Sequence, residues 1–410
     1  MKAVQYVKSV PRYLILQATK RWWPKVVTSV LAPTKLRDVE PPSLPTQKWV
    51  RIRTRMSGIC GSDVATVAAK GSAYFSPLIS TPFVYGHENV GDVFEMGTDV
   101  DQSWLGRRVV IEPALTCVVR GIEPVCVQCA NGQFANCENV TQGDIAPGIQ
   151  TGYCFDTGGG WSSEFVAHEW QLHPVPDEMS DVTAVLIEPF SCALHGALRA
   201  DVQIGQRVLV LGCGTIGLLT IAALRALGVS NEIAAVAKYP HQERLATDFG
   251  ADVVLKPGKA LYDKVLELYG AQKHQPELGR PIFVGGAEVV FDCVGSSTSI
   301  DDALRFTRAQ GTTVLVGMPA IPSGIDWTAI WYKELRVVGA YAYGTENING
   351  HEHRTFEIAT QLLSGDAADK VSGLVGGKYR IADFRKAIHS ALFSGKSGVA
   401  KTVFTFLDEE

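Results

Sequence analysis

The segment 208–217 constrains the fold of this chain more than any other, because an apolar run leads straight into a glycine turn. The turn has the spacing G-x-G-x-x-G, and an amphipathic stretch follows it. The first glycine permits a tight turn, the second lets the backbone approach a pyrophosphate, and the third lets a helix pack against the strand. The sequence predicts a dinucleotide site here, with a plain tight turn as the alternative. Its residues are Gly212, Gly214, Thr215, Ile216 and Gly217.

Short apolar runs recur after this turn, with helical stretches between them. They lie at residues 233–236, 289–292, 313–317 and 335–339. Buried parallel strands read as runs of this kind, and strands that alternate with helices favour an α/β fold. The sequence predicts a doubly wound parallel sheet over residues 188–344.

The first part of the chain has a different pattern. Residues 49–56 alternate apolar and basic side chains, and short strand-like runs follow at 83–85, 91–94 and 108–111. This pattern predicts a strand-rich domain over residues 1–187. The tail, 345–410, is short for a domain of its own, so we expect it to complete the first one.

Length and composition narrow the function classes. A chain of 410 residues favours two domains. The net charge of −4 gives no broad reason to bind nucleic acid or an anionic membrane, so a small molecule is the expected partner. No secretory segment and no apolar run of membrane-spanning length is evident, which predicts a cytoplasmic protein. The nine cysteines are then better explained by metal binding and burial than by disulfides.

Two short motifs carry chemistry. Cys60 lies between Ile59 and Gly61, and His87 and Glu88 follow Gly86. Thiolate, imidazole and carboxylate are the ligands that zinc takes when one coordination position stays open for a substrate. The two motifs therefore predict a catalytic zinc site.

A second group of cysteines has the pattern C-x8-C-x2-C-x7-C. Its members are Cys117, Cys126, Cys129 and Cys137. Four thiolates around one tetrahedral zinc would stiffen this loop, so a structural zinc site is predicted. A redox pair formed by Cys126 and Cys129 is the alternative.

The residue after the second strand bears on the choice of cofactor. A carboxylate that binds the adenosine ribose is expected there, but the sequence has Lys238. A lysine suits a 2′-phosphate, which favours NADP over NAD. In the alternative interpretation Lys238 is an ordinary solvated lysine and either cofactor binds.

The segment 11–45 is unusual because it carries Trp22, Trp23 and several basic residues where a compact strand pair is expected. We expect a surface insertion whose aromatic side chains pack on the body of the protein. A role in subunit contact or substrate specificity is the alternative.

Taken in order, these motifs resemble those of the zinc-containing medium-chain alcohol and polyol dehydrogenases over most of the chain. The matching segments are the Cys60 and His87 motifs, the cysteine lobe, residues 158–166, Glu188-Pro189, the Gly212 turn and residues 291–295. The resemblance implies a GroES-like catalytic domain and a Rossmann domain, a homodimer or homotetramer, and Val294 beside the cofactor.

The resemblance also implies that Cys60 and His87 bind the catalytic zinc with a third ligand, Glu88 or Glu188. Glutamate at 188 points to the sorbitol and glucose dehydrogenase branch. Ser62 is expected to accept the proton of the alcohol; a helix-capping serine is the alternative. Two features depart from the family pattern: eight residues separate Cys117 from Cys126 where relatives have two, and residues 64–66 lack the histidine that often follows the serine.

The leading function is thus zinc-dependent hydride transfer between a secondary alcohol, polyol or sugar and NAD(P). Zinc would lower the pKa of the alcohol, and the resulting anion would pass hydride to the nicotinamide. The alternatives are a zinc-independent quinone or enone reductase of the same fold, which would lack the Cys60 and His87 pair, and a non-enzymatic protein that binds zinc and nucleotide.

Overall fold

The computed structural model describes residues 1–365 and 367–406. Residues 366 and 407–410, which belong to the tail assigned above, lie outside the described part. The chain divides into two compact units. Unit 1 comprises Met1–Glu188 and Tyr343–Glu410, and unit 2 comprises Pro189–Ala342. Glu188 is therefore the last residue of the first segment of unit 1.

The elements are numbered along the chain. The strands are β1 Lys2–Tyr6, β2 Thr34–Asp38, β3 Trp49–Gly58, β4 Phe83–Val84, β5 Asn89–Met96, β6 Arg108–Ile111, β7 Glu164–His168, β8 Leu172–Pro174, β9 Val208–Leu211, β10 Ile233–Val236, β11 Val253–Leu255, β12 Gln272–His274, β13 Ile282–Val284, β14 Ala287–Asp292, β15 Thr307–Leu315, β16 Arg336–Gly339, β17 Thr345–Ile348, β18 His351–Arg354, β19 Val375–Tyr379 and β20 Lys401–Thr405. The α-helices are α1 Val10–Thr19, α2 Gly61–Val67, α3 Val127–Ala130, α4 Asp181–Ala184, α5 Ile187–Ala200, α6 Thr215–Ala226, α7 Pro240–Asp248, α8 Lys259–Tyr269, α9 Ser297–Phe306, α10 Thr328–Tyr332, α11 Thr355–Leu362, α12 Ala367–Ser372, α13 Phe384–Leu392 and α14 Ser394–Ser397.

Unit 1 is built on a sheet of seven strands. Their order is β19-β20-β3-β5-β6-β8, and β7 also pairs with β3. The long strand β3 contacts β5, β7 and β20, so the tail of the chain lies next to the strand that leads into Cys60. Val50, Ile52 and Phe165 are buried on one face and form an apolar core with neighbouring strands.

The N-terminal strands form the compact pair expected of this region. Strands β1 and β2 pair antiparallel, with Lys2 opposite Asp38 and Tyr6 opposite Thr34. Residues 7–33 are inserted between them and contain helix α1. Leu16, Val26 and Val27 attach this insertion to the core formed by α13 and β20.

The expectation that the tryptophans pack on the body is wrong. Trp22 is 82% exposed and Trp23 is 46% exposed. Leu16, Val26 and Val27 are the side chains of the insertion that are buried instead. The two tryptophans follow the end of α1.

Unit 2 contains a six-stranded parallel sheet in the order β11-β10-β9-β14-β15-β16. Residues of its central strands, such as Leu209, Ala234 and Val290, are buried. The order reverses between β9 and β14, which is the place where doubly wound sheets bind their ligands, beyond the carboxyl ends of the strands. The predicted doubly wound sheet is confirmed.

Two hairpins were not predicted: β12–β13 in unit 2 and β17–β18 in unit 1. Their strands are short and mostly polar, so they lack the apolar alternation on which a prediction from sequence depends. In the described residues, no helix is long and apolar enough to cross a membrane.

Candidate functional site

Cys60 lies where strand β3 ends and helix α2 begins. The Cys60 backbone amide donates a hydrogen bond of 3.0 Å to Oδ2 of Asp63, which closes the first turn of α2. Ser62, two residues after Cys60, is half-buried. This local geometry fixes the thiol at the helix start, beside the motif that carries His87.

His87 is buried in contact with residues of the first motif. Its Nδ1 lies 3.6 Å from Oδ1 of Asp63, and its Nε2 lies 3.5 Å from Oγ of Ser62. The Cys60 thiol is close enough to the ring to raise its pKa. Burial alone would lower the pKa of His87, but the negative charges of Asp63, Cys60 and Glu188 outweigh it and hold this pKa well above its ordinary value.

The segment 64–66, which lacks the histidine that often follows the serine, carries the hydroxyl of Thr66, and this lies beside the hydroxyl of Tyr153. Thr66 Oγ1 lies 3.2 Å from the hydroxyl of Tyr153 and donates to the carbonyl of Ser62 at 2.9 Å. The Tyr153 hydroxyl donates to Oδ1 of Asp63 at 3.4 Å. Tyr153 therefore holds the carboxylate that faces His87.

Two glycines are needed for the motifs to meet. Gly86 has φ of +103°, and a Cβ there would lie 2.5 Å from Cδ1 of Trp161. A Cβ on Gly58 would lie 1.8 Å from Oε2 of Glu88. Trp161 in turn donates from Nε1 to the carbonyl of Gly58 at 3.0 Å. The segment around residue 161 thus packs directly onto the segments that carry Cys60 and His87.

Glu88 forms an ion pair with Lys401 of strand β20, and both side chains are buried. Lys401 also donates from Nζ to the carbonyl of Ile59 at 3.2 Å. Burial would lower the pKa of Lys401, but Glu88, Cys60 and Glu188 together raise it. The carboxylate of Glu88 therefore has a fixed cation as its partner.

Glu188 lies in the first turn of α5 and is buried. It is close enough to His87 and to Lys401 to raise the pKa of each. The five residues expected at the catalytic centre lie in the same part of unit 1, where the two half-buried ones, Cys60 and Ser62, adjoin the buried His87, and both glutamates are near enough to act on neighbouring charges. The five are Cys60, Ser62, His87, Glu88 and Glu188.

The donor atoms of this cluster suit zinc. They comprise a thiol, an imidazole and carboxylates, which is the set found at zinc sites that keep an open position. The carboxylate of Asp63 beside His87 Nδ1 matches the arrangement that orients metal-binding histidines. The Nδ1 atom is buried and makes no hydrogen bond within the normal distance limit, and the Asp63 carboxylate faces it at 3.6 Å.

The four cysteines of the lobe meet although the loop is stretched. Their sulfur atoms all lie within 4.8 Å of one another. Cys117 and Cys137 are 3.6 Å apart, close to the spacing of about 3.8 Å that tetrahedral geometry with Zn–S bonds of about 2.3 Å requires. Backbone amides of Cys126, Cys129 and Glu138 donate to sulfur atoms of the group at 3.3 to 3.5 Å. These contacts favour thiolates, and the group fits a tetrahedral zinc.

The extra residues between Cys117 and Cys126 contain a buried arginine that organises the lobe. The guanidinium of Arg120 donates five hydrogen bonds of 2.7 to 3.3 Å, all to backbone carbonyls. The acceptors are Leu115, Gln142, Ile145, Ala146 and Gly148. An arginine has five N–H donors, so every one is used. Burial lowers the pKa of Arg120, and nearby cysteines oppose that shift.

The glycine turn of unit 2 has the conformation expected for a dinucleotide site. Gly212 has φ of +92°, and a Cβ on Gly217 would lie 1.8 Å from the carbonyl oxygen of Gly212. Gly214 directly precedes α6 and has open space where a Cβ would stand. Thr215 and Ile216 form the first turn of this helix. The turn therefore requires glycine at positions 212 and 217 for packing, whereas position 214 has free space.

Lys238 and Val294 lie at the same edge of the sheet as this turn. Lys238 is exposed just beyond β10, with its Nζ 5.6 Å from the centre of the Tyr239 ring. Val294 follows β14 and is half-exposed. Strands β10 and β14 flank β9 on either side, so all three carboxyl ends are neighbours.

Sequence reasoning missed Lys401, Arg120 and Tyr153. The one signal for Lys401 is a charged residue at the start of an otherwise strand-like tail. Arg120 is marked only by its place in the extra loop residues. Tyr153 carries no signal, because its role depends on a contact with Asp63 ninety residues away.

Comparison with known proteins agrees with this arrangement. Residues 46–177 match the family model described as the alcohol dehydrogenase GroES-like domain, and residues 215–364 match that of zinc-binding dehydrogenases. L-idonate 5-dehydrogenase of Vitis vinifera is 31% identical over 294 residues, which is 72% of this chain and 73% of the relative. Sorbitol dehydrogenase 1 of Saccharomyces cerevisiae is 26% identical over 384 residues, which is 93% and 98% of the two chains.

An alcohol dehydrogenase from Escherichia coli CFT073, solved with NADH, has the same fold. Its TM-score is 0.73 at 20% identity, and the match covers 99% of both chains. The expected GroES-like fold of the first domain is confirmed by its family model. The chain belongs to the family of zinc-containing medium-chain alcohol and polyol dehydrogenases.

Proposed function

We propose that this protein oxidises and reduces a polyol or a sugar, with zinc at the Cys60 cluster and NADP as the preferred cofactor. The observation that carries the proposal is that Cys60 and Glu188 both lie close enough to the buried His87 ring to raise its pKa, within unit 1. The relatives named for idonate and sorbitol support the substrate class. We further propose that residues 1–187 with 345–410 form the catalytic domain, and that residues 188–344 bind the dinucleotide.

The residues of the cluster have distinct proposed roles. Zinc, when bound, acts as a Lewis acid that lowers the pKa of the alcohol substrate. Cys60 and His87 hold the ion, and Asp63 orients the His87 ring. Ser62 accepts the proton of the alcohol, since its Oγ lies beside the ring of His87. Outward transfer then passes to solvent or through Thr66.

The third ligand is proposed to be Glu188. Glu88 is held in an ion pair with Lys401. Glu188, in contrast, raises the pKa of His87, and so does Cys60. Glu88 and Lys401 then serve to balance charge next to the ligands.

The two glutamates are separated by paired substitutions. We expect Glu188→Gln to lower zinc affinity about 10- to 100-fold or more, because a neutral amide replaces a ligand carboxylate. Glu88→Gln should change zinc affinity less, although it leaves Lys401 without its counter-charge and so destabilises unit 1. Competition with a chromogenic chelator measures the affinity. A larger loss of zinc in Glu88→Gln than in Glu188→Gln would assign the ligand the other way.

The cofactor preference rests on Lys238. Because a bond to a charged group contributes about 1.5 to 3 kcal/mol, we expect Lys238→Ala to reduce kcat/KM for NADP about 10- to 100-fold. The value for NAD should stay near that of the wild type, since NAD has no 2′-phosphate. Steady-state rates with each cofactor measure the ratio.

Lys264 offers a matched control, because it is also an exposed lysine of unit 2 and lies on α8. Lys264→Ala should leave both rates unchanged. Equal losses with NADP and NAD in Lys238→Ala would reject a role in phosphate recognition.

The substrate class is tested by a screen of polyols, aldoses and aromatic alcohols with both cofactors, followed by the absorbance of the reduced nicotinamide. Turnover of at least one polyol or sugar is expected. Turnover of quinones or enones alone would support the zinc-independent reductase, and turnover of no compound would support the non-enzymatic alternative.

A further inference from the structure

We propose that the inserted segment of unit 1 docks on membrane surfaces that carry anionic phospholipid. The docking surface, called here the basic-aromatic face, comprises Trp22, Trp23, Lys25, Val30, Arg385 and Lys386. It extends the proposed function by giving the enzyme a location, and it uses no residue of the zinc or dinucleotide sites.

The charge of the N-terminal segment from β1 to β2, which contains the insertion, differs sharply from that of the whole chain. The chain has a net charge of −4, but its first acidic residue is Asp38. The eight basic residues before it are Lys2, Lys8, Arg12, Lys20, Arg21, Lys25, Lys35 and Arg37. The net charge of the chain, on which the expectation of no membrane partner rests, hides this segregation.

The basic residues are close enough to one another to repel. Burial lowers the pKa of Lys35, and the charges of Arg12 and Arg37 lower it further. Helix α13 adds Arg385 and Lys386, and these side chains line one shallow groove together with Trp23, Lys25 and Val30. Asp383 is the acidic neighbour, and it pairs with Lys386 at 2.8 Å. The face itself has three basic side chains, Lys25, Arg385 and Lys386, beside the single carboxylate of Asp383, so its net positive charge complements an anionic partner.

Apolar side chains stand out beside these charges. Trp22 is 82% exposed and Val30 is 71% exposed, and Trp23 is half-exposed. Tryptophan and aliphatic side chains interleaved with lysine and arginine are typical of protein segments that lie at the membrane interface. Leu16, Val26 and Val27 of the insertion are buried in the core of unit 1, so the segment that carries the exposed side chains is held in place by packing.

Two other occupants fit less well. A symmetric contact between two copies would bring two faces of the same positive charge together, which costs energy. Nucleic acid would suit the charges and the tryptophans, but Val30 and Leu31, both exposed, would gain nothing from a phosphate backbone. Lipid accounts for both the charges and the apolar side chains.

The test is co-sedimentation of the full-length protein with vesicles of phosphatidylcholine, with and without phosphatidylserine. Binding to the anionic vesicles is expected, with loss at high salt. The double variant Trp22→Ala/Trp23→Ala should bind at least about tenfold more weakly, and so should Lys25→Glu/Lys386→Glu. Turnover of the alcohol substrate should not change in either variant, which shows that each is folded.

Trp331 provides the matched control, because it is 71% exposed but lies in unit 2. Trp331→Ala should bind vesicles as the wild type does. Three results would overturn the proposal: no binding to anionic vesicles, equal binding to neutral ones, or unchanged binding by the double tryptophan variant. Tighter binding to a single-stranded oligonucleotide than to the vesicles would also overturn it, in favour of nucleic acid.

Discussion

The variant Cys60→Ser is expected to lose about a thousandfold or more in kcat while it still binds the dinucleotide. A serine hydroxyl does not ionise as a thiol does, so the variant cannot supply the anionic ligand that zinc requires. A Lewis acid contributes several kcal/mol to the stabilisation of developing charge, which corresponds to a loss of this size. The dinucleotide turn lies in unit 2 and does not involve Cys60.

Metal analysis and cofactor titration make this test specific. Zinc should fall from two ions per chain to one, because the four cysteines of the lobe are unchanged. Cys154→Ser is the matched control: Cys154 is a buried thiol of the same unit that donates to the carbonyl of Ala146 at 3.3 Å, and a serine keeps that donor. Unchanged turnover in Cys60→Ser would reject the proposed mechanism.

The variant Arg120→Met is expected to destabilise unit 1 by about 4 kcal/mol and to lower its thermal midpoint by about 10 °C. Methionine fills part of the space but donates no hydrogen bond, so the five carbonyls around the guanidinium lose their partner. Some of them will find water, which keeps the loss below the sum of five separate penalties. Differential scanning calorimetry of the zinc-loaded protein measures the change.

Two further variants bracket this result. Arg120→Lys keeps the charge but has three donors on a flexible stem, so an intermediate loss is expected. Arg107 is exposed and donates a single bond of 3.3 Å to Ser103, so Arg107→Met should have little effect. A midpoint for Arg120→Met equal to that of Arg107→Met would show that the guanidinium does not hold the lobe together.

Local patterns explain why parts of this molecule were predictable. The turn at residues 212–217 could be recognised because its glycines are required by contacts within the same short segment. One such contact is that of Gly217 with the carbonyl of Gly212. The cysteines of the lobe could likewise be grouped by their spacing, although spacing alone did not tell whether the longer loop would still bring Cys117 to the others.

The remaining parts depend on contacts between distant segments. Lys401 meets Glu88 only because β20 pairs with β3, and no local pattern gives that pairing. The outward placement of Trp22 and Trp23 was missed for a related reason. Aromatic residues are usually buried. Only the structure shows that Val26 and Val27, rather than the tryptophans, pack in the core beside α13 and β20.

The pairing of β20 with β3 has a consequence for the order of events during biosynthesis. Lys401 is synthesised 313 residues after its partner Glu88. A nascent chain on the ribosome can complete unit 2 while the tail is still unsynthesised, since that unit ends at Ala342. The charge balance around Cys60 and His87 is reached only once β20 has been made and has paired with β3, so the proposed metal site is completed late in synthesis.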